Sequence, residues 1–151
     1  MENRPLSSFR DFFASVRVRE EDSLEQVVTT VLEHPGFHDV CVVNGGGYLL
    51  GVINIKKLFR TIFFHHADPH LMTRQLIELA SSETAGHLMV ADPLVCLESE
   101  NLGNAIGKMV EHNLGELPVV NEPRQLLGSV SMNLVFGIWL EGQRGANGSG
   151  P

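Results

Sequence analysis

Apolar positions along the chain follow two alternating periods. In "DSLEQVVTTVLEH", Leu24, Val27, Val28, Val31 and Leu32 recur at helical spacing. Ser23 stands just before them and Gln26 three residues later, the pair that forms a capping box, so a helix is predicted to start there. After Gly36 the period shortens: "VCVV", a turn at "NGGG" and "YLLGVI" predict two strands joined as a hairpin. "IKKLFRTIFF" then predicts a second helix. Later in the chain the same succession returns. Asn101 precedes Leu102, Ala105, Ile106, Met109 and Val110, and after Gly115 come "LPVV", the turn "NEPR", "QLLGSV" and a helix in "MNLVFGIWLE". A short extended piece, "SVRV" or "PLVCL", opens each copy. The predicted order is β-α-β-β-α, twice.

The copies agree in residues as well as in pattern. At an offset of 78, Leu24 pairs with Leu102, Glu33 with Glu111 and His34 with His112. One residue is then lost. At an offset of 77, Val42, Val43 and Asn44 pair with Val119, Val120 and Asn121, and the "LLG" of Leu49–Gly51 with that of Leu126–Gly128. An internal repeat of this kind decides the architecture before any single residue does. The sequence divides into a first repeat (1–66), an inserted linker helix (67–82), a second repeat (83–141) and a tail (142–151). Asp68 is the expected cap of the linker helix, with Pro69 at its first position. The Gly-rich tail has no apolar anchor and is expected to be disordered.

Composition narrows the function classes. The net charge is −7, with 11 basic residues in 151 and no basic run, so the footprint of a nucleic-acid binder is missing. No apolar run nears the roughly 20 residues of a membrane span, and the N-terminal "MENRPLSSFRD" lacks a signal pattern, so a cytoplasmic protein without membrane insertion is expected. Cys41 and Cys96 lie in apolar extended stretches and read as buried thiols. "HHADPH" places His65, His66, Asp68 and His70 together, but the spacing fits no metal-ligand pattern and reads as a surface loop. His34 and His112, near equivalent helix ends, read as structural. No G-x-S-x-G or other nucleophile setting occurs, so no enzyme activity is expected.

A β-α-β-β-α unit present twice, with "LPVV" before a turn and "LLGSVS" after it, resembles the tandem CBS domain, or Bateman module. The likeness covers about residues 7 to 141 and is stronger in the second half; the first has "VCVV" where the family prefers a proline, and "SFRDFFASVRV" as a shortened entry. It implies an α+β fold of two repeats packed with pseudo-twofold symmetry, two clefts that commonly take AMP, ADP, ATP or S-adenosylmethionine, pairing into homodimers, and a regulatory rather than catalytic role.

In the family, the second strand of each repeat ends in Gly, two apolar residues, a Thr or Ser, two variable residues and an Asp. The hydroxyl and the helix N-terminus meet phosphate, and the Asp accepts from the ribose diol. This chain departs from that pattern. The first repeat has Asn54 and Lys57 at these two positions, and the second has Ser131 and Leu134, so both ribose acceptors are missing. The resemblance carries the second cleft to Ala91, Asp92, Val95, Leu117, Pro118 and Ser131, and the first to Val16, Val40, Cys41, Asn54 and Lys57. Lys57 offers a phosphate a cation, and Leu134 offers an apolar wall. The apolar members of both sets also suit a plain core. Two readings stand: a sensor of a small effector that signals to a protein partner, and a ligand-silent scaffold for dimerisation and protein interaction. Trp139, with Phe136 and Leu140 on the last helix, points to a homodimer through that helix.

Overall fold

A computed structural model describes residues 1–63 and 83–148. The expected linker helix, the histidines of His65–His70 and the last three residues lie outside the described residues. The fold is α+β, with two small sheets and their helices.

The first sheet has four strands in the order β1 (Val16–Arg19), β2 (Asp39–Val43), β3 (Leu49–Asn54) and β4 (Val90–Ala91). β1 and β2 are parallel, joined through α1 (Leu24–Glu33), while β2 and β3 form an antiparallel hairpin. The expected capping box is present: the Gln26 amide donates to Ser23 Oγ at 3.2 Å, and the Ser23 amide to Gln26 Oε1 at 2.7 Å. α2 (Ile55–Ile62) follows β3. β2 is buried on both faces, and Val40, Val42, Val27 and Ile53 sit at the centre of this core.

The second sheet is β5 (Cys96–Leu97), β6 (Glu116–Val120) and β7 (Leu126–Ser131), with α4 (Leu102–Glu111) between β5 and β6 and α5 (Met132–Gly148) after β7. β5 and β6 are parallel, β6 and β7 antiparallel. A register shift falls at Val42/Val43 in one hairpin and at the equivalent Val119/Val120 in the other. Asn101 caps α4 by accepting from the Asn104 amide at 2.8 Å, and His34 and His112 are the C-caps of α1 and α4.

The compact units are not the sequence repeats. One unit is Ser15–Pro93; the other joins Met1–Ala14 to the described part of Leu94–Pro151. The segment ahead of each repeat therefore packs in the unit of the other repeat. Ahead of the second copy, α3 (Ala85–Leu88) hooks over the β1–α1 connection. The amides of Ala85 and Gly86 donate to Asp22 O (2.8 Å) and Glu20 O (2.9 Å). Ahead of the first copy, a 3-10 helix (Leu6–Phe12) does the same over the β5–α4 connection, with the amides of Leu6 and Ser7 donating to Glu100 O (2.8 Å) and Glu98 O (3.0 Å). Arg10 also pairs with Glu98. Leu6 and Phe9 are thereby core residues beside Leu102, Leu117 and Val130.

The "LLG" glycine of each copy admits this segment. A Cβ on Gly51 would lie 2.5 Å from Met89 Sδ and 2.7 Å from Val90 O, and one on Gly128 would overlap Phe13 Cβ. Ala91 pairs with Gly51, and Ala14 bridges Ser129, so each edge is covered. The expectation of a disordered tail from residue 142 is corrected: α5 runs to Gly148. Glycine weakens a helix without ending it, and once nucleated each added residue brings its own hydrogen bond.

Candidate ligand sites of the two repeats

Both positions expected to grip a ligand begin as helix caps. In the first repeat Asn54 ends β3, and its Oδ1 accepts from the Lys57 amide at 3.0 Å, capping α2. Its Nδ2 donates to Asp39 Oδ1, also at 3.0 Å, across the register that sets Asp39 opposite Asn54. Asp39 is only 9% exposed. Burial raises its carboxyl above the usual 3.8, against the lowering effects of the Asn54 hydrogen bond and the nearby His38 charge. Val16, Val40 and Cys41 are buried at 2% exposure or less, so their side chains fill core. The cavity bordered by Asn54, Lys57 and Thr61 on one side and by Leu88 and Val90 on the other is about 30 Å³. That is space on the scale of one water.

In the second repeat Ser131 Oγ accepts from the Leu134 amide at 3.1 Å and so occupies the capping position over α5. The β6–β7 register places Leu117 opposite Val130, Pro118 opposite Ser129 and Glu116 opposite Ser131. Leu117 is fully buried. Val95 stands just before β5, and its carbonyl accepts from Lys108 Nζ at 2.9 Å; that ammonium also pairs with Glu100 at 3.1 Å. Burial, and next the Glu100 charge, push the adjoining Cys96 thiol up to about 11, with Lys108 opposing. Val95, Leu117, Pro118 and Ser131 thus belong to one compact unit, while Ala91 and Asp92 belong to the other, with Asp92 at φ +56°.

Two features escaped the sequence reading. Asp39 and Glu116 are buried acids at equivalent positions, each paired in register with a helix-capping residue. The signal was an acid opening each buried strand, aligned at the offset of 77. The second is a groove of about 890 Å³ between the 3-10 helix and α5, lined by Phe9, Phe12, Leu134 and Ile138 among others. Its walls come from distant parts of the chain. Among the described residues no group of three or more His, Cys, Asp or Glu could hold a metal, and no helix is long and apolar enough to cross a membrane.

The CBS domain family profile matches residues 11–63 and 85–136. The chain belongs to the CBS domain family and carries two copies of the domain. No curated protein matches it. Among solved structures, the CBS-pair protein CBSX2 from Arabidopsis thaliana is similar at a TM-score of 0.75 and 22% identity, over 94% of this chain and 98% of that one. CBSX2 in complex with AMP gives 0.73 and 22%, over 93% and 99%. MJ1225 from Methanocaldococcus jannaschii, described as a putative archaeal homolog of g-AMPK, gives 0.74 and 22%, over 91% of this chain and 48% of its own.

Proposed function

We propose that this chain is a non-catalytic, cytoplasmic CBS-pair regulator. It binds an adenosyl nucleotide at the second repeat and conveys that state to a protein partner. The observation that carries the reading is the pair of family domains that accounts for most of the chain, in a fold shared with a CBS-pair protein known in complex with AMP. Ser131 at the N-terminus of α5 supports the choice of the second repeat: a hydroxyl at the start of a long helix suits phosphate. The ribose is then held without the family's carboxylate, Leu134 standing in its place. Val95, Leu117 and Pro118, of the same compact unit, complete the proposed site. At the first repeat, Val16, Val40, Cys41, Asn54 and Lys57 form the weaker one, with Lys57 as a phosphate contact.

The working unit is a homodimer. Large apolar residues are exposed at matched positions of the two repeats, Leu32 and Val110 at 76% and 77%, Phe59 and Phe136 at 63% and 66%. Trp139 and Leu140 extend the α5 patch. A second reading, the ligand-silent scaffold, is favoured by one observation. The oxygens of Asn54 and Ser131 already accept from their own helices.

A thermal-shift panel of AMP, ADP, ATP and S-adenosylmethionine separates the two. A ligand at 100 times its Kd adds about 2.7 kcal/mol, roughly 5 to 10 °C for a chain of this size. A shift with one ligand, lost in Ser131→Asp, supports sensing. A flat panel at millimolar ligand leaves the scaffold.

A further inference from the structure

The groove between the 3-10 helix and α5 lies within one compact unit, and its volume is that of a small-molecule site. In the first repeat Lys57 and Thr61 stand where the groove has Leu134 and Ile138, and among the described residues they border, with Leu88 and Val90, a cavity of about 30 Å³. The interior of the groove is apolar and aromatic: Phe9, Phe12, Leu134 and Ile138 form walls, with Phe12 two-thirds exposed inside an otherwise packed unit. Gly137 lies on the α5 side, and a Cβ there would meet nothing within 4 Å, so internal packing does not require the glycine.

The groove also holds a cation with no carboxylate partner. The Arg4 guanidinium lies 4.5 Å over the Phe9 ring and makes no ion pair among the described residues. Its backbone is fixed, because the Leu102 amide donates to Arg4 O at 2.9 Å and Pro5 bridges Asn101. A stacked, anchored guanidinium beside an apolar cavity is a receptor for an anionic head on an aromatic body. The one carboxylate of the groove, Glu141, makes no ion pair with Arg4 and disfavours polyanions.

We propose that this groove binds a small aromatic monoanion, with its carboxylate, sulfonate or phosphodiester head on Arg4 and its ring system between Phe9, Phe12 and the Leu134–Ile138 face of α5. The site goes beyond the nucleotide reading and does not depend on it. The test uses 8-anilinonaphthalene-1-sulfonate as a fluorescent probe on the full chain. Because the probe carries no nucleoside, its result is separate from that of the nucleotide panel.

Wild type is expected to bind one equivalent saturably, and the uncharged N-phenyl-1-naphthylamine more weakly. Arg4→Gln, an exposed change, is expected to weaken the sulfonate roughly tenfold, the scale of one charge-assisted hydrogen bond. Gly137→Leu fills the groove and should abolish binding while circular dichroism and thermal stability are retained. Phe136→Ala, outside the groove, should bind as wild type. Probe binding unchanged in both Arg4→Gln and Gly137→Leu, or equal affinity for the neutral and anionic probes, overturns the proposal.

Discussion

Gly128 is the position at which a single added methyl group tests the packing of the second repeat. Its φ is +148°, in a region that side chains rarely adopt, and a Cβ there would overlap Phe13 Cβ while standing 3.0 Å from Phe13 C and 3.2 Å from its Cα. Two of those three atoms are backbone, so no rotamer change relieves the clash. The conformational part of Gly128→Ala costs about 1–3 kcal/mol. Overpacking costs about as much again, so the expected loss is about 4 kcal/mol. At a urea m-value of about 2 kcal/mol/M this lowers the midpoint by about 2 M. Gly107→Ala is the internal control: its Cβ meets nothing within 4 Å on exposed α4, so it should gain about 1 kcal/mol in helix propensity. A double-mutant cycle with Phe13→Gly separates the two terms, because removing that Cβ relieves part of the clash and none of the φ strain. If Gly128→Ala costs less than about 1 kcal/mol, or its cost is the same in the Phe13→Gly background, the docking of residues 1–14 on β7 is wrong.

Further perturbations probe single groups. Asp39 holds its proton above the ordinary 3.8, so the native state binds more protons than the unfolded one in the window just above that value, and stability falls as pH rises through it. Asp39→Asn keeps an acceptor for Asn54, so it should raise the urea midpoint at pH 7 and remove that acid-side slope; a lowered midpoint at pH 7 counts against it. Cys96 is fully buried with its thiol near 11, so a disulfide reagent at pH 8 should label it only in denaturant, and fast labelling of native protein would contradict its burial. Arg124 holds φ +79° where the first hairpin has Gly47 at +81°, so Arg124→Gly should stabilise by about 0.5–1 kcal/mol in a urea melt. Ser131→Ala removes the α5 cap and should cost about 1 kcal/mol without any ligand, whereas a purely ligand-binding serine would cost nothing in the apo protein.

The local elements were legible because their signals are local. Capping at Ser23 and Asn101, the helical spacing of Leu24 to Leu32, and the runs "VCVV" and "LPVV" each reside in a dozen residues or fewer, and each became the element they predicted. What stayed hidden depends on distant partners. "LSSFRDF" is too short to show helical periodicity, and its 3-10 helix is held by carbonyls of Glu98 and Glu100 some ninety positions away. The exchange of entry segments is silent for the same reason: nothing near Ala14 says that it bridges Ser129. At the candidate sites, the sequence placed Asn54 and Ser131 at helix starts. It had no means of showing that their oxygens already accept from the amides of Lys57 and Leu134.

Because the chain carries its own aligned copy, it separates frame from variation without any relative. Several positions kept identical between the repeats do structural work. Gly51 and Gly128 admit an entry segment, Leu24 and Leu102 bury the first turn of their helices, and Asn44 and Asn121 hold the hairpin turns, accepting from the Tyr48 amide at 3.1 Å and the Gln125 amide at 2.8 Å. Changing any of these would damage the fold whatever the protein binds. Among the pairs that differ, three share one face of the last helix of each repeat: Lys57 against Leu134, Arg60 against Gly137, Thr61 against Ile138. Among the described residues Lys57 and Thr61 border a cavity of about 30 Å³ in one repeat, while Leu134, Gly137 and Ile138 line a groove of about 890 Å³ in the other. Fold maintenance alone would have no reason to treat the two faces differently, since each meets the same kind of entry segment. A change from charged and polar side chains to small and apolar ones on that face is what a duplicated scaffold shows when one copy is kept as frame and the other is left to recognise something.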